Sequence, residues 1–129
     1  MEIVSFDLAK KLKEKGFCYD ESVIIYDNNN EPLSLSKYNL NIKADEIIAP
    51  TISQVLKWLR DRNIHIEPFL VNAETAQYKL NIIGWNGKFF CSIYNSLLED
   101  ANNKTITTYQ SYEQAVIAGI EYVLNNNLI

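Results

Sequence analysis

The chain carries one histidine, His65, and two cysteines, Cys18 and Cys91. Nucleophilic catalysis needs a nucleophile, a base and an orienting group within reach of one another. A thiol–imidazole pair of Cys91 and His65 is the one combination that a shared sheet could assemble. Against it, Cys91 alternates with apolar residues on its strand, where a buried and inert thiol is the usual outcome. A structural zinc site wants four Cys or His ligands. Cys18, His65 and Cys91 are three and widely scattered, so no metal and no cofactor is expected. No Walker A, GxGxxG or HExxH pattern occurs. The carboxylate pairs Asp20-Glu21, Asp45-Glu46 and Glu99-Asp100 sit beside polar stretches and read as solvated loop charge. No catalytic constellation emerges, and the expected function is not enzymatic.

The bulk properties fit one soluble domain over residues 1–129. Hydrophobic residues make up 47% and charged residues 22%, which is enough apolar side chain for a core. Twelve basic against sixteen acidic residues give a net charge of −4. Mild acidity disfavours a general nucleic-acid binder, which must neutralise phosphates with Lys and Arg. Two cysteines are too few for a disulfide scaffold, so both read as thiols in a reducing compartment. The start, Met1 to Asp7, has no basic segment followed by an apolar one, and no apolar run approaches the twenty or so residues of a membrane span. A cytoplasmic protein is expected, with no membrane partner.

Three helices are marked by their ends. Ser5 caps the first, Leu8, Ala9 and Leu12 form its apolar stripe, and Gly16 stops it in a left-handed conformation, with Phe17 touching Leu12. Thr51 caps the second, and Gln54 completes a capping box. Ile52, Val55, Leu56 and Leu59 follow the helical period, and Asn63 is the stop. Ser111 and Gln114 form another box before Tyr112, Ala115, Val116, Gly119, Ile120, Val123 and Leu124. Gly119 in mid-helix costs up to about 1 kcal/mol relative to Ala, so a close approach to a sheet is expected there.

Strands fill the intervals. Val23–Tyr26 and Leu33–Leu35 are expected to form a hairpin around Asp27 to Asn30. Ile64 to Val71 reads as a strand whose Pro68 marks an edge or a bulge. Tyr78–Trp85 and Lys88–Tyr94 flank Asn86-Gly87, a type I′ hairpin signal that pairs Trp85 with Lys88, Ile83 with Phe90, Ile82 with Cys91 and Leu80 with Ile93. Thr105–Tyr109 is a further candidate strand, Glu99–Lys104 reads as a loop, and residues 36–49 are ambiguous. The expected class is α+β: an antiparallel sheet of three to five strands with helices packed on one face, in the order α-ββ-α-β-β-β-α.

The helix segments Leu8-Ala9-Lys10-Lys11-Leu12-Lys13-Glu14-Lys15-Gly16-Phe17, Ala49-Pro50-Thr51-Ile52-Ser53-Gln54-Val55-Leu56-Lys57-Trp58-Leu59-Arg60, Tyr112-Glu113-Gln114-Ala115 and Ala118-Gly119-Ile120 resemble a group of small phage- or prophage-encoded proteins of gut Bacteroidetes. The resemblance implies a viral or mobile-element origin and the cytoplasm of a bacterial host. It supplies no catalytic residue. From residue 51 onward the order α-β-β-β-α is also similar to a double-stranded-RNA-binding domain. That family places lysines at the start of its last helix to grip phosphates. Here the stretch is Ser111-Tyr112-Glu113-Gln114, without lysine, so the analogy is one of fold.

The hairpin alternation gives two apolar faces. Tyr78, Leu80, Ile82, Phe89, Cys91 and Ile93 line one. Ile83, Trp85, Phe90 and Tyr94 share the other with Lys79, Asn81, Lys88 and Ser92. Either residues 18–48 fold over this second face, or it is an exposed aromatic patch of the kind enriched where proteins meet partners. Trp58 lies about 110° from the centre of its helix's apolar stripe, at 100° per residue. It is a boundary residue over which Arg62 can stack. The candidate interaction surface is Ile83, Trp85, Phe90, Tyr94 and Trp58. The function expected is that of a non-enzymatic phage or prophage accessory protein that binds an unknown protein partner or a second copy of itself. The alternative is a nucleic-acid-binding protein of the double-stranded-RNA-binding type.

Overall fold

The computed structural model describes residues 3–17, 24–26, 29–34, 47–75, 77–85, 87–88, 90–95 and 109–129. The protein is α+β, with helices α1 (Phe6–Glu14), α2 (Ile52–Arg60) and α3 (Tyr112–Asn125). Its strands are β1 (Ile24–Tyr26), β2 (Pro32–Ser34), β3 (Ile47–Ile48), β4 (Ile64–Asn72), β5 (Gln77–Trp85) and β6 (Phe90–Asn95). Two three-stranded antiparallel sheets result, ordered β2-β1-β3 and β4-β5-β6. The chain divides into two compact units, Met1–Val55 and Leu56–Ile129.

In the first unit, Ser5 accepts a hydrogen bond from the Leu8 amide at 3.3 Å and starts α1. The helix ends as a Schellman motif. Gly16 has φ +86°, its amide donates to the Lys13 carbonyl, and the Phe17 amide reaches back to Leu12 at 3.0 Å. The hairpin expected near Asp27 to Asn30 forms, with Ile25 opposite Leu33. The ambiguous stretch contributes β3, which pairs with β1 through Ile25 and Ile48. Thr51 and Gln54 close the capping box of α2 in both directions, at 2.9 and 3.2 Å.

Tyr26 ties this unit together. Its hydroxyl donates to the carbonyl of buried Val4, and its ring meets Phe6 edge-on at 5.2 Å. Burial holds the phenol above its ordinary pKa of 10.0. The neutral form is therefore the one the fold prefers. Its contribution is complete below pH 10.0 and is lost as pH rises through the higher folded value. Tyr26→Phe is expected to cost about 1–3 kcal/mol, because the buried Val4 carbonyl loses its donor. Urea unfolding of both proteins at neutral pH and at a pH above 10.0 checks this, the wild type's advantage shrinking at the higher pH.

In the second unit, α2 stops at Asn63, whose φ of +63° is left-handed and whose amide donates to the Arg60 carbonyl. Helix α3 starts at Ser111, which accepts from the Gln114 amide at 3.1 Å. The Gln114 side chain returns to the Gln110 amide rather than to that of Ser111, so the expected box is closed one residue upstream. The helix ends as α1 does, with Asn127 at φ +52° and the Leu128 amide on the Val123 carbonyl.

One face of the β4-β5-β6 sheet packs against α3. Ala115, Val116, Gly119, Ile120 and Val123 are buried with Ile66, Leu80 and Ile82. A Cβ on Gly119 would stand 2.7 Å from Ile66 Cγ2 and 3.2 Å from Leu80 Cδ1. The mid-helix glycine thus permits the close approach its position implied. Tyr112, expected on the buried face, is exposed at the helix start and meets Tyr78 edge-on. Tyr109 pairs with Tyr78 through two backbone hydrogen bonds; the rest of the expected 105–109 strand, the 99–104 loop and Cys18 lie outside the described residues.

Candidate protein-interaction face

The face of the β4-β5-β6 sheet turned away from α3 is built by alternation. On β4, Ile64 and Ile66 are buried beneath α3's side, so His65, Glu67 and Phe69 take the opposite face. Register sets His65 beside Ile83, Glu67 beside Asn81 and Phe69 beside Lys79. On β6, Phe90 stands opposite Trp85 and Ser92 opposite Ile83.

The hairpin register differs from that expected. Trp85 pairs with Phe90, not with Lys88, and Gly84 pairs with Cys91. The connection is thus two residues longer than a type I′ turn, although Gly87 keeps a positive φ of +99°. The Trp85 and Phe90 rings pack 4.9 Å apart at 65°, and this cross-strand aromatic pair opposes the register that the turn dipeptide alone would choose. A shift of two residues leaves each side chain on its own face. The grouping of Ile83, Trp85, Phe90 and Ser92 therefore stands.

Further along, a bulge departs from the expected pairing of Leu80 with Ile93. Ile82 faces Tyr94 after Ile83 has faced Ser92, so Ile93 is the extra residue. Its Cδ1 and Cγ1 occupy the place a Gly84 side chain would need. Tyr94 is paired with Ile82, not on the row of Ile83, and only its backbone is described.

At the turn end of this face, Trp85 is 47% and Phe90 48% exposed. His65 meets Phe90 edge-on at 5.3 Å, so three rings form one surface. Ile83 is half-buried beside them. Ser92 Oγ donates to Asn81 Oδ1 at 2.7 Å on the same face. The face is not open along its whole length, because Lys79 is only 6% exposed. Trp58 does not belong to this surface. It is 7% exposed, and the Arg62 guanidinium lies 4.0 Å from its ring centroid while Nη1 donates to the Trp58 carbonyl. The expected stacking is present, and burial takes Trp58 out of the exposed set.

The same geometry separates Cys91 from His65. Ile64, Gly84 and Cys91 form one cross-sheet row, and His65 and Ile83 the next, so thiol and imidazole take opposite faces. Among the described residues, no three His, Cys, Asp or Glu side chains form a metal-binding group, and no helix is long and apolar enough to cross a membrane. Comparison of the chain with known protein families, characterised proteins and solved structures finds no match.

Proposed function

We propose that this chain is a non-enzymatic binding protein, an accessory protein of the phage or prophage kind its helix segments resemble, and that it engages a protein partner or a second copy of itself through the Trp85–Phe90–His65 surface. The single observation that carries the reading is the pair of large aromatic side chains, Trp85 and Phe90, each about half exposed on one sheet face. Exposed aromatic side chains in contact are the composition of binding hot spots. The opposed faces of Cys91 and His65 weigh against thiol catalysis. The test replaces Trp85 and Phe90 together by serine. Mass in solution and recovery of co-purifying protein are compared with wild type. Loss of either supports the reading, and no change in both contradicts it.

The nucleic-acid reading has one observation in its favour, the element order α2-β4-β5-β6-α3. Charge opposes it. Helix α3 has Glu113 and Glu121 as its charged residues and no Lys or Arg with which to hold a phosphate. A salt-dependent gel shift with duplex RNA at low ionic strength would favour that reading over protein binding.

A further inference from the structure

A second feature lies beside the aromatic surface, where α2 turns into β4. Leu56 and Arg60 of α2 and His65, Ile66 and Glu67 of β4 line an open cleft of about 130 Å³. Ile66 enters this lining in a particular way. Its side chain is buried against α3's Gly119, so its backbone is what remains for the opposite neighbourhood.

The direction of that backbone follows from the ladder. In an antiparallel strand the N–H and C=O of one residue point to the same side, and successive residues alternate. Tyr78 sends both groups to Tyr109. Its partner across the sheet, Leu70, must then point away from β5, and so must Pro68, Ile66 and Ile64. Pro68 agrees, because a proline inside a ladder must put its missing N–H on the outer side. Among the described residues no strand pairs with that side of β4. Ile66 therefore offers one donor and one acceptor at the outer edge, in a cleft that Arg60 also lines.

We propose that this cleft binds a short extended peptide segment bearing a carboxylate, with the segment's backbone pairing to Ile66 as an added strand and Arg60 taking the carboxylate. Edge pairing supplies main-chain hydrogen bonds, and a guanidinium matches a carboxylate in two parallel bonds. Pro68 has no N–H at the next outward position, so the added strand is short. Glu67 on the rim disfavours a second negative charge and accepts from an N–H or a cationic side chain of the segment. His65 adds a polar ring edge and joins the cleft to Phe90. The inference extends the binding reading and is tested separately from it.

The experiment is an amide NMR titration of the full chain with three N-acetylated tetrapeptides of alanine and valine. One ends in a free carboxylate, one ends in an amide, and one ends in an amide but carries a single aspartate. The free acid is expected to shift the Ile66 and His65 amides saturably, the plain amide to bind about tenfold more weakly, and Arg60→Gln to weaken the acid by about the same factor. Binding of the aspartate peptide as strongly as the acid assigns the site to side-chain carboxylates; binding of the acid alone assigns it to chain ends. Trp85→Ser with Phe90→Ser leaves the Ile66 shift in place, which separates this site from the aromatic surface. No saturable shift at Ile66 at several millimolar of either carboxylate peptide overturns the proposal, a concentration that reaches Kd values worth about 3–4 kcal/mol. Equal binding of acid and plain amide overturns it as well.

Discussion

Leu80→Ala is expected to destabilise the Leu56–Ile129 unit by about 2–5 kcal/mol, the cost of removing buried methyl groups and leaving a cavity. Leu80 is fully buried at the centre of β5, opposite Pro68 of β4. Its Cδ1 would lie 3.2 Å from a Cβ on Gly119. A glycine offers no side chain that can fold into the space, so relaxation there is small and the cost belongs in the upper part of that range. The effect is comparable with a large share of the total stability of a small domain. Urea denaturation measures it as a lowered midpoint at unchanged slope. A loss below about 1 kcal/mol would mean that the helix is not seated on β5 as described.

Replacing Trp85 and Phe90 together by serine is expected to weaken association by at least about a hundredfold, or about 3 kcal/mol, since buried aromatic hot spots contribute about 2 kcal/mol or more each and do not add fully. Stability should fall much less. Both side chains are about half exposed, so truncation opens no sealed cavity. What is lost in the isolated protein is the Trp85–Phe90 contact at 4.9 Å and the Phe90–His65 contact at 5.3 Å. Such ring pairs contribute about 0.5–1.5 kcal/mol. The separation between a large binding loss and a small stability loss is the signature of a contact surface rather than of a core. Sedimentation velocity over a concentration series, with thermal unfolding of the same samples, measures both.

Local chemistry made the helix ends legible. Ser5, Thr51 with Gln54, and Ser111 each bind the amide three residues on, and Gly16 and Asn63 each hold a left-handed φ. These devices act within one turn and need no distant partner. The face assignments of Trp85, Ile83 and Phe90 were legible for a related reason, since alternation survives a two-residue change of register.

What escaped depends on residues far apart in the chain. The Trp85–Phe90 pairing competes with the Asn86-Gly87 turn preference, and only the assembled hairpin decides between them. The Ile93 bulge depends on the space above Gly84. Strand β3 has two residues, too few to carry a period. Lys79 alternates outward by pattern, yet it is buried, so one end of the outer face is covered and the other is open. Trp58 shows the converse. Its angle on α2 marks a boundary, and the Arg62 guanidinium stacked on its ring shares in shielding it from solvent.

Acrylamide quenching of Trp85 fluorescence in a Trp58→Phe background tests the central claim most directly. The account predicts an indole quenched freely in dilute protein and protected once the chain associates with itself or with a partner. An indole already shielded in the dilute monomer, or one still fully quenchable in the associated state, would contradict it.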